Sequence, residues 1–328
     1  MSRARPTVIV TRRLPQAVET RMAELFDVEL NFDDVAMDAS RLADAFARAD
    51  VVVPTVSDHI TAEVIAAAGP KLKLLANFGT GVDHIDLAAA RAQNLVVTNT
   101  PGVLTDDTAD MVMALILGVS RRIGEGEKLL RAGEWTGWSP TGMLGHRVTG
   151  KRLGIVGMGR IGQAVAMRAR AFGCSIHYHN RHRLPVAVEG ASEATWWPTL
   201  AAMLARVDIV SLNCPLTPET HHLIDDAALR LMQRHVYLIN VARGEIVDEA
   251  ALVACLTRGG IAGAGLDVFE REPAVSRELL ELANVALVPH LGSATFEGRL
   301  DMGEKVIANI RSWVDGHRPP DQVLEGWA

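Results

Sequence analysis

Arg152-Leu153-Gly154-Ile155-Val156-Gly157-Met158-Gly159-Arg160-Ile161-Gly162 is the stretch on which the fold turns. A short apolar run breaks into three glycines and then into a helical pattern, the order expected where a strand delivers a phosphate to the start of a helix. Gly157 allows the tight turn out of the strand, Gly159 lets backbone approach a pyrophosphate, and Gly162 lets the new helix pack closely on the sheet. Arg160 and Ile161 open that helix, whose first N–H groups have no partner within it and so suit an anion. In a chain with 28 glycines the pattern alone is weak. Its setting strengthens it: an apolar run before it, a helical pattern from Arg160 to Ala171, and a strand-like run from Ser175 to His179.

Working outward, 328 residues exceed one typical core, so two domains are expected. The hydrophobic share of 48% is that of a packed soluble protein, and no apolar run has the length of a membrane span. A formal net charge of −6 argues against non-specific nucleic-acid binding, which needs a net basic face. Cys174, Cys214 and Cys255 are widely spaced in apolar surroundings, which suits a reducing compartment better than a disulfide framework. Met1 to Pro6 carries charge but no following signal-peptide core, so a cytoplasmic protein is expected.

On the N-terminal side, strand-like runs at Thr7 to Val10, Asp50 to Val53, Leu72 to Ala76 and Leu95 to Thr98 alternate with helical patterns and make one small α/β unit. Asn99-Thr100-Pro101-Gly102 punctuates the chain before a long helix from Thr108 to Arg121. Residues 122–150 lose the pattern, and Trp135, Trp138 and Met143 sit there among glycines and Pro140. Either this is a surface loop tucked onto its own domain or an arm that packs on a second subunit, since exposed tryptophans are costly unless covered. On the C-terminal side, six strand-like runs from Leu153 to Val288 alternate with helices, matching a doubly wound parallel sheet. A last helix, Thr295 to Asp315, is placed to return to the first unit. The expected domains are therefore 1–99 together with 294–328, and 100–293 with 122–150 as a dimerisation arm.

An acidic side chain at the end of the second strand of such a unit holds the ribose 2′-hydroxyl. Here the chain reads His179-Asn180-Arg181-His182-Arg183, with a neutral amide in that place and two arginines after it. A guanidinium fork holds a 2′-phosphate that a carboxylate repels, so NADP(H) is the preferred cofactor, with NAD(H) as the alternative. Three later segments follow strand-like runs, where open α/β sheets place ligands: Asn240-Val241-Ala242-Arg243-Gly244, Asp267 to Pro273, and Pro289-His290-Leu291-Gly292-Ser293. Reducing a 2-keto acid needs a cation for the carboxylate and carbonyl oxygen, a proton donor and a group that sets the donor's pKa. Arg243, His290 and Glu272 can fill those roles. Taken alone, a strand-end arginine is more often a structural ion pair, a single histidine more often a satisfied core or loop residue, and Glu272 reads also as surface charge; the combination carries the argument.

With these motifs in hand, the chain resembles the D-isomer-specific 2-hydroxyacid dehydrogenase family over nearly its whole length, and within it the glyoxylate/hydroxypyruvate reductases. The resemblance rests on the Gly157–Gly162 loop, on Val241-Ala242-Arg243-Gly244 with Val247-Asp248-Glu249-Ala250, on Gly265-Leu266-Asp267-Val268 with Glu272-Pro273, and on Pro289 to Ser293. It implies a Rossmann-type doubly wound domain and a smaller flavodoxin-like α/β substrate domain with a cleft between them. It further implies that Arg243 binds the substrate carboxylate, that His290 is the acid/base and that Glu272 pairs with it. Phe78, Gly79, Thr80 and Gly81 would form a backbone site for the same carboxylate, where two glycines free successive N–H groups. Thr108, Cys214, Pro215, Thr220, Val241, Ala242, Asp267 and Gly292 would lie along the cofactor, Asp267 accepting from the nicotinamide carboxamide. Trp138 would reach the active site of a neighbouring subunit, making the protein a homodimer.

Rival readings are an NAD-dependent D-2-hydroxyacid dehydrogenase of another substrate, such as phosphoglycerate, D-lactate or 2-ketogluconate, and a dinucleotide-sensing protein of the corepressor kind. Phosphoglycerate dehydrogenases generally keep an acid where Asn180 stands, formate dehydrogenases lack a partner like Glu272, and nothing basic or motif-rich flanks the core as a corepressor would need. No metal site is expected: His177 and His179 share a strand face but lack a closed ligand set.

Overall fold

The computed structural model describes residues 5–324, so the extreme N-terminal residues on which the expectation about export rests lie in part outside it. In chain order the first elements are β1 (Thr7–Val10), α1 (Gln16–Leu25), β2 (Asp27–Glu29), α2 (Ala39–Arg48), β3 (Val51–Val53), α3 (Ala62–Ala66), β4 (Leu74–Ala76), α4 (Leu87–Ala92) and β5 (Val96–Thr98). The five strands are all parallel in the order β2-β1-β3-β4-β5, the flavodoxin-like arrangement. Continuous apolar triplets such as Val51-Val52-Val53 make central strands buried on both faces, which is what a parallel sheet covered by helices requires. α2, α3 and α4 start on side-chain caps: Asp38, Thr61 and Asp86 each accept an N–H three residues on.

The second unit runs through α5 (Thr105–Ser120), α6 (Ile123–Arg131), β6 (Arg152–Val156), α7 (Arg160–Ala171), β7 (Ser175–His179), α8 (Val186–Ser192), β8 (Ala194–Trp196), α9 (Leu200–Leu204), β9 (Ile209–Leu212), α10 (Asp226–Leu231), β10 (Tyr237–Asn240), α11 (Glu249–Thr257), β11 (Gly263–Leu266), α12 (Arg277–Glu281) and β12 (Val285–Leu287). Its seven strands are parallel in the order β12-β11-β10-β9-β6-β7-β8. The strand order reverses at β6, which carries the glycine loop, so that loop sits at the topological switch point where such sheets bind ligands. Apolar clusters cover both faces, one built around α5 and α7, the other around α9, α10 and α11.

α13 (Phe296–Val314), capped by Thr295, belongs to the first unit. There Gly303 meets Val18 of α1 so closely that a Cβ would lie 2.3 Å from a valine methyl. Residues to Leu104 and from Thr295 form one unit, Thr105–Ala294 the other; the first crossing falls at the start of α5 rather than at residue 99.

Three elements differ from the sequence reading. β2 and β8 are three-residue edge strands with exposed or half-buried side chains, so they carry no apolar run, and the second sheet has seven strands instead of six. α6 occupies part of the stretch read as patternless. It buries none of its residues and contains Gly124 and Gly126, so neither an apolar stripe nor propensity marks it.

Candidate active site

The glycine loop is built for a phosphate. Gly157 has φ +93°, and a Cβ there would lie 2.6 Å from the Cys214 N; a Cβ on Gly162 would lie 2.4 Å from the Gly157 carbonyl oxygen. Gly159 instead has open space within 4 Å of where its Cβ would be. Tight packing at the first and third glycines and an open approach at the second are what a pyrophosphate cradle needs. No hydrogen bond among the described residues uses the N–H groups of Arg160, Ile161 or Gly162 at the start of α7, which leaves three donors and the positive end of the helix for an anion.

At the end of β7, Asn180 Oδ1 accepts the Met158 N–H at 2.7 Å. The amide thereby ties the end of β7 to the glycine loop and leaves its NH₂ group as a donor. The two arginines behind it are not equivalent. Arg183 is engaged by Glu189 through Nε at 2.9 Å and Nη2 at 2.8 Å, and lies over the Trp196 ring. Glu189 also accepts from Tyr178, whose oxygen accepts the Leu184 N–H. The Arg183 and Tyr178 hydrogen bonds lower the Glu189 carboxyl to about 2. Arg183, read from the sequence as a phosphate ligand, is held within its own loop by these bonds. Arg181 makes no hydrogen bond or salt bridge among the described residues, and its charge is felt by Glu219.

Several other residues assigned to the cofactor also hold loops. Thr220 Oγ1 accepts the Thr217 N–H and donates to the Pro215 carbonyl, both at 2.7 Å, closing the turn after β9. Asp267, buried after β11, accepts the N–H groups of Leu291 and Gly292, and its backbone carbonyl accepts that of His290 at 2.8 Å. Burial pushes its carboxyl up, and those two N–H groups oppose the push. Thr108 donates to the Gly292 carbonyl at 3.1 Å. The sequence offered these residues as ligands; in this structure Thr220 also holds the turn after β9, and Asp267 and Thr108 also fix the loop that carries His290. Burial raises the Cys214 thiol to about 11, so it is not a nucleophile. Val241 and Ala242 follow β10, where Asn240 accepts the Ala242 N–H and donates to the Arg243 carbonyl.

This scaffolding brings the catalytic candidates together. His290 Nδ1 lies 2.8 Å from Glu272 Oε2, while Glu272 Oε1 accepts the Phe269 N–H at 3.0 Å. Burial raises the Glu272 carboxyl, but the His290 hydrogen bond and charge, the Phe269 N–H and the Arg243 charge outweigh it, and the group sits below its ordinary value. Arg243 therefore lies within electrostatic reach of the pair, with Nη1 also donating to the Ala242 carbonyl at 2.7 Å. Its position is set by Gly244, where a Cβ would lie 1.9 Å from the Phe269 carbonyl carbon. His290 adopts φ +52°, a strained conformation for a side-chain-bearing residue that its two backbone hydrogen bonds impose.

The loop of residues 78–82 lies in the first unit, where Phe78 bridges to Thr55 after β3. The arm leaves Trp138 84% and Trp135 58% exposed, along with Leu130 and Leu144. Among the described residues no helix is long and apolar enough to cross a membrane, and no cluster of three or more His, Cys, Asp or Glu is placed to hold a metal. His177 and His179 both bond to Trp197.

A dinucleotide cradle at the switch point of a parallel sheet, with a carboxylate–imidazole pair and an arginine after neighbouring strands, defines a nicotinamide-dependent oxidoreductase. Residues 113–292 match the family model of the D-isomer specific 2-hydroxyacid dehydrogenase NAD binding domain. The chain is 43% identical over 323 residues to the glyoxylate reductase of Thermococcus litoralis, covering 97% of each, and 43% identical to that of Pyrococcus horikoshii over 97% of this chain and 96% of the relative. Its structure is similar, with a TM-score of 0.88 and 36% identity, to the NADPH-dependent glyoxylate/hydroxypyruvate reductase of Sinorhizobium meliloti solved with NADP and malonate, covering 99% of this chain and 98% of that one. The chain belongs to the D-isomer-specific 2-hydroxyacid dehydrogenase family. It is accordingly an NAD(P)-dependent oxidoreductase acting on a CH–OH group.

Proposed function

We propose that this protein is an NADPH-preferring reductase of small 2-keto acids, glyoxylate and hydroxypyruvate, yielding D-2-hydroxy acids. The observation that carries the reading is the Glu272–His290 pair with Arg243 in electrostatic reach. Glu272 holds Nδ1 of the imidazole, which leaves Nε2 as the atom that gives a proton to the carbonyl oxygen. Arg243 stabilises the negative charge developing on that oxygen and orients the carboxylate. The N–H groups of the 79–82 segment receive the same carboxylate, and Asp267 keeps the His290 loop in place. The nicotinamide, when bound, supplies the hydride. Its pyrophosphate is held by the Gly157–Gly162 loop and its 2′-phosphate by Arg181, with the Asn180 amide beside it.

The names of the relatives support the substrate class, and the similar structure solved with NADP supports the cofactor. The exposed Trp135 and Trp138 support a homodimer, in which the arm is covered by a second copy and Trp138 reaches the partner's active site. All three cysteines are free, which fits a cytoplasmic setting. The test is kcat/KM for glyoxylate, hydroxypyruvate, pyruvate, phenylpyruvate and 2-ketogluconate, each with NADPH and NADH. The two smallest acids with NADPH are expected to lead; absence of turnover with every acid overturns the reading, and higher kcat/KM with NADH overturns the cofactor preference alone.

A further inference from the structure

Within the first unit, every carbonyl of the Gly79–Gly81 segment is tied to a buried partner. Asn77 Nδ2 donates to Gly79 O at 3.0 Å and to Gly81 O at 2.8 Å. Asn99 Nδ2 donates to Thr80 O at 2.8 Å, and the Thr100 N–H adds a second bond to Gly79 O at 3.0 Å. Asn77 is 0% and Asn99 2% exposed. With carbonyls on these sides, each amide nitrogen must be the donor. His84 Nε2, 3.1 Å from Asn77 Oδ1, must likewise donate, which holds Asn77 the right way round.

In a trans peptide the C=O of one residue and the N–H of the next point in opposite directions. Carbonyls drawn toward Asn77 and Asn99 therefore turn the N–H groups of Thr80, Gly81 and Val82 away from them. No hydrogen bond among the described residues uses those three N–H groups or that of Gly79. Consecutive donors facing one way make an anion-binding concavity.

We propose that Asn77 and Asn99 are positioning residues for the keto-acid carboxylate: they never touch it, but set the peptide planes that do. This rests on the 2-keto acid reading above. Neither asparagine is marked by the glycine pattern, because the glycines allow the conformation while the asparagines select it.

The experiment pairs Asn77→Asp, which removes both donors at constant shape, with Asn99→Ser, which shortens the side chain. Losing oriented donors to a charged group should raise the glyoxylate KM by about tenfold or more, and the inhibition constant of oxalate, a carboxylate that is not reduced, should rise in parallel. The KM for NADPH and kcat should stay within about threefold, because uniform substrate binding is what is lost. In the wild-type enzyme, oxalate should shift the backbone amide NMR signals of Thr80, Gly81 and Val82, a readout that does not depend on either variant folding. Glyoxylate KM unchanged in a folded variant, kcat and both KM values moving together, or amide signals indifferent to oxalate would each overturn the proposal. Failure to reduce glyoxylate at all would remove the functional reading, while the oxalate shifts would still decide the role of the segment.

Discussion

Replacing Glu272 with glutamine keeps the side chain's shape and removes its charge. Glutamine has a single carbonyl oxygen, so it keeps only one of the two acceptor positions, the one toward the Phe269 N–H at 3.0 Å or the one 2.8 Å from His290 Nδ1. What disappears is the negative charge together with one of the two accepted hydrogen bonds. Hydrogen bonds to charged groups contribute roughly 1.5–3 kcal/mol. The two side chains are 30% and 35% exposed, so solvent screens the pair and the lower end, about 1.5 kcal/mol, applies. That loss should move the pH at which reduction is lost.

The direction follows from which form the carboxylate favours. Glu272 sits below the ordinary carboxyl value, so it is ionised throughout the neutral range and favours a protonated imidazole there. Without that charge the limb for glyoxylate reduction should move down. In the oxidative direction, which needs the neutral imidazole, activity should extend to lower pH by the same amount. Stability carries the same sign: a depressed carboxyl contributes stability above its unfolded value and loses it as pH falls through the folded one, so Glu272→Gln should blunt the loss of stability on acidification. The assay is kcat/KM against pH in both directions. A uniform drop with an unmoved profile, or a limb that moves upward, would refute the pairing.

His290→Ala should lower kcat by about 10²- to 10⁴-fold while NADPH affinity, followed by fluorescence titration, stays nearly intact; loss of cofactor binding alone would make the residue structural. Arg181→Ala should reduce kcat/KM with NADPH by about tenfold or more and leave NADH nearly unchanged, whereas Arg183→Ala should affect both cofactors through the loop it braces. Gly244→Ala drives a Cβ into the Phe269 carbonyl, and thermal melts should show a loss of about 1–3 kcal/mol, with glyoxylate KM rising as Arg243 shifts. For the proposed homodimer, Trp135→Ala with Trp138→Ala should shift the wild-type sedimentation velocity toward the monomer; an unchanged sedimentation coefficient would detach the arm from assembly.

Much of the architecture was legible because parallel strands buried on both faces are continuous apolar runs, and because Asp and Thr caps announce helix starts. The glycine loop was legible for a steric reason, since Gly157 and Gly162 meet backbone atoms that leave no room for a Cβ. Elements without an apolar run or stripe, β2, β8 and α6, left no such mark. The identities of Arg243, Glu272 and His290 were readable only as a set placed after successive strands. Their mutual approach depends on the turns that end those strands, which spacing does not encode.

What sequence spacing could not separate was a polar residue that meets a ligand from one that holds the loop beside it. Arg181 and Arg183 are two positions apart, yet only Arg183 has Glu189 within reach, and Glu189 carries no motif. Asp267 spends both oxygens on the backbone of the His290 loop, Asn180 spends one on the glycine loop, and Asn77 and Asn99 spend their donors on the 79–81 carbonyls. A loop poised to bind must leave its own N–H groups unpaired, and its carbonyls then need partners from elsewhere. Buried amides and carboxylates at strand ends supply them. The groups the scaffold does not use are thus, in the second unit, the N–H groups of Arg160, Ile161 and Gly162, the Arg181 guanidinium and Nε2 of His290, and, in the first unit, the N–H groups of residues 80–82. Substitutions in the holding set should alter how well a ligand is oriented, and substitutions in the remaining set whether it is held at all, so the two classes are separable by whether a conservative, shape-preserving variant restores activity.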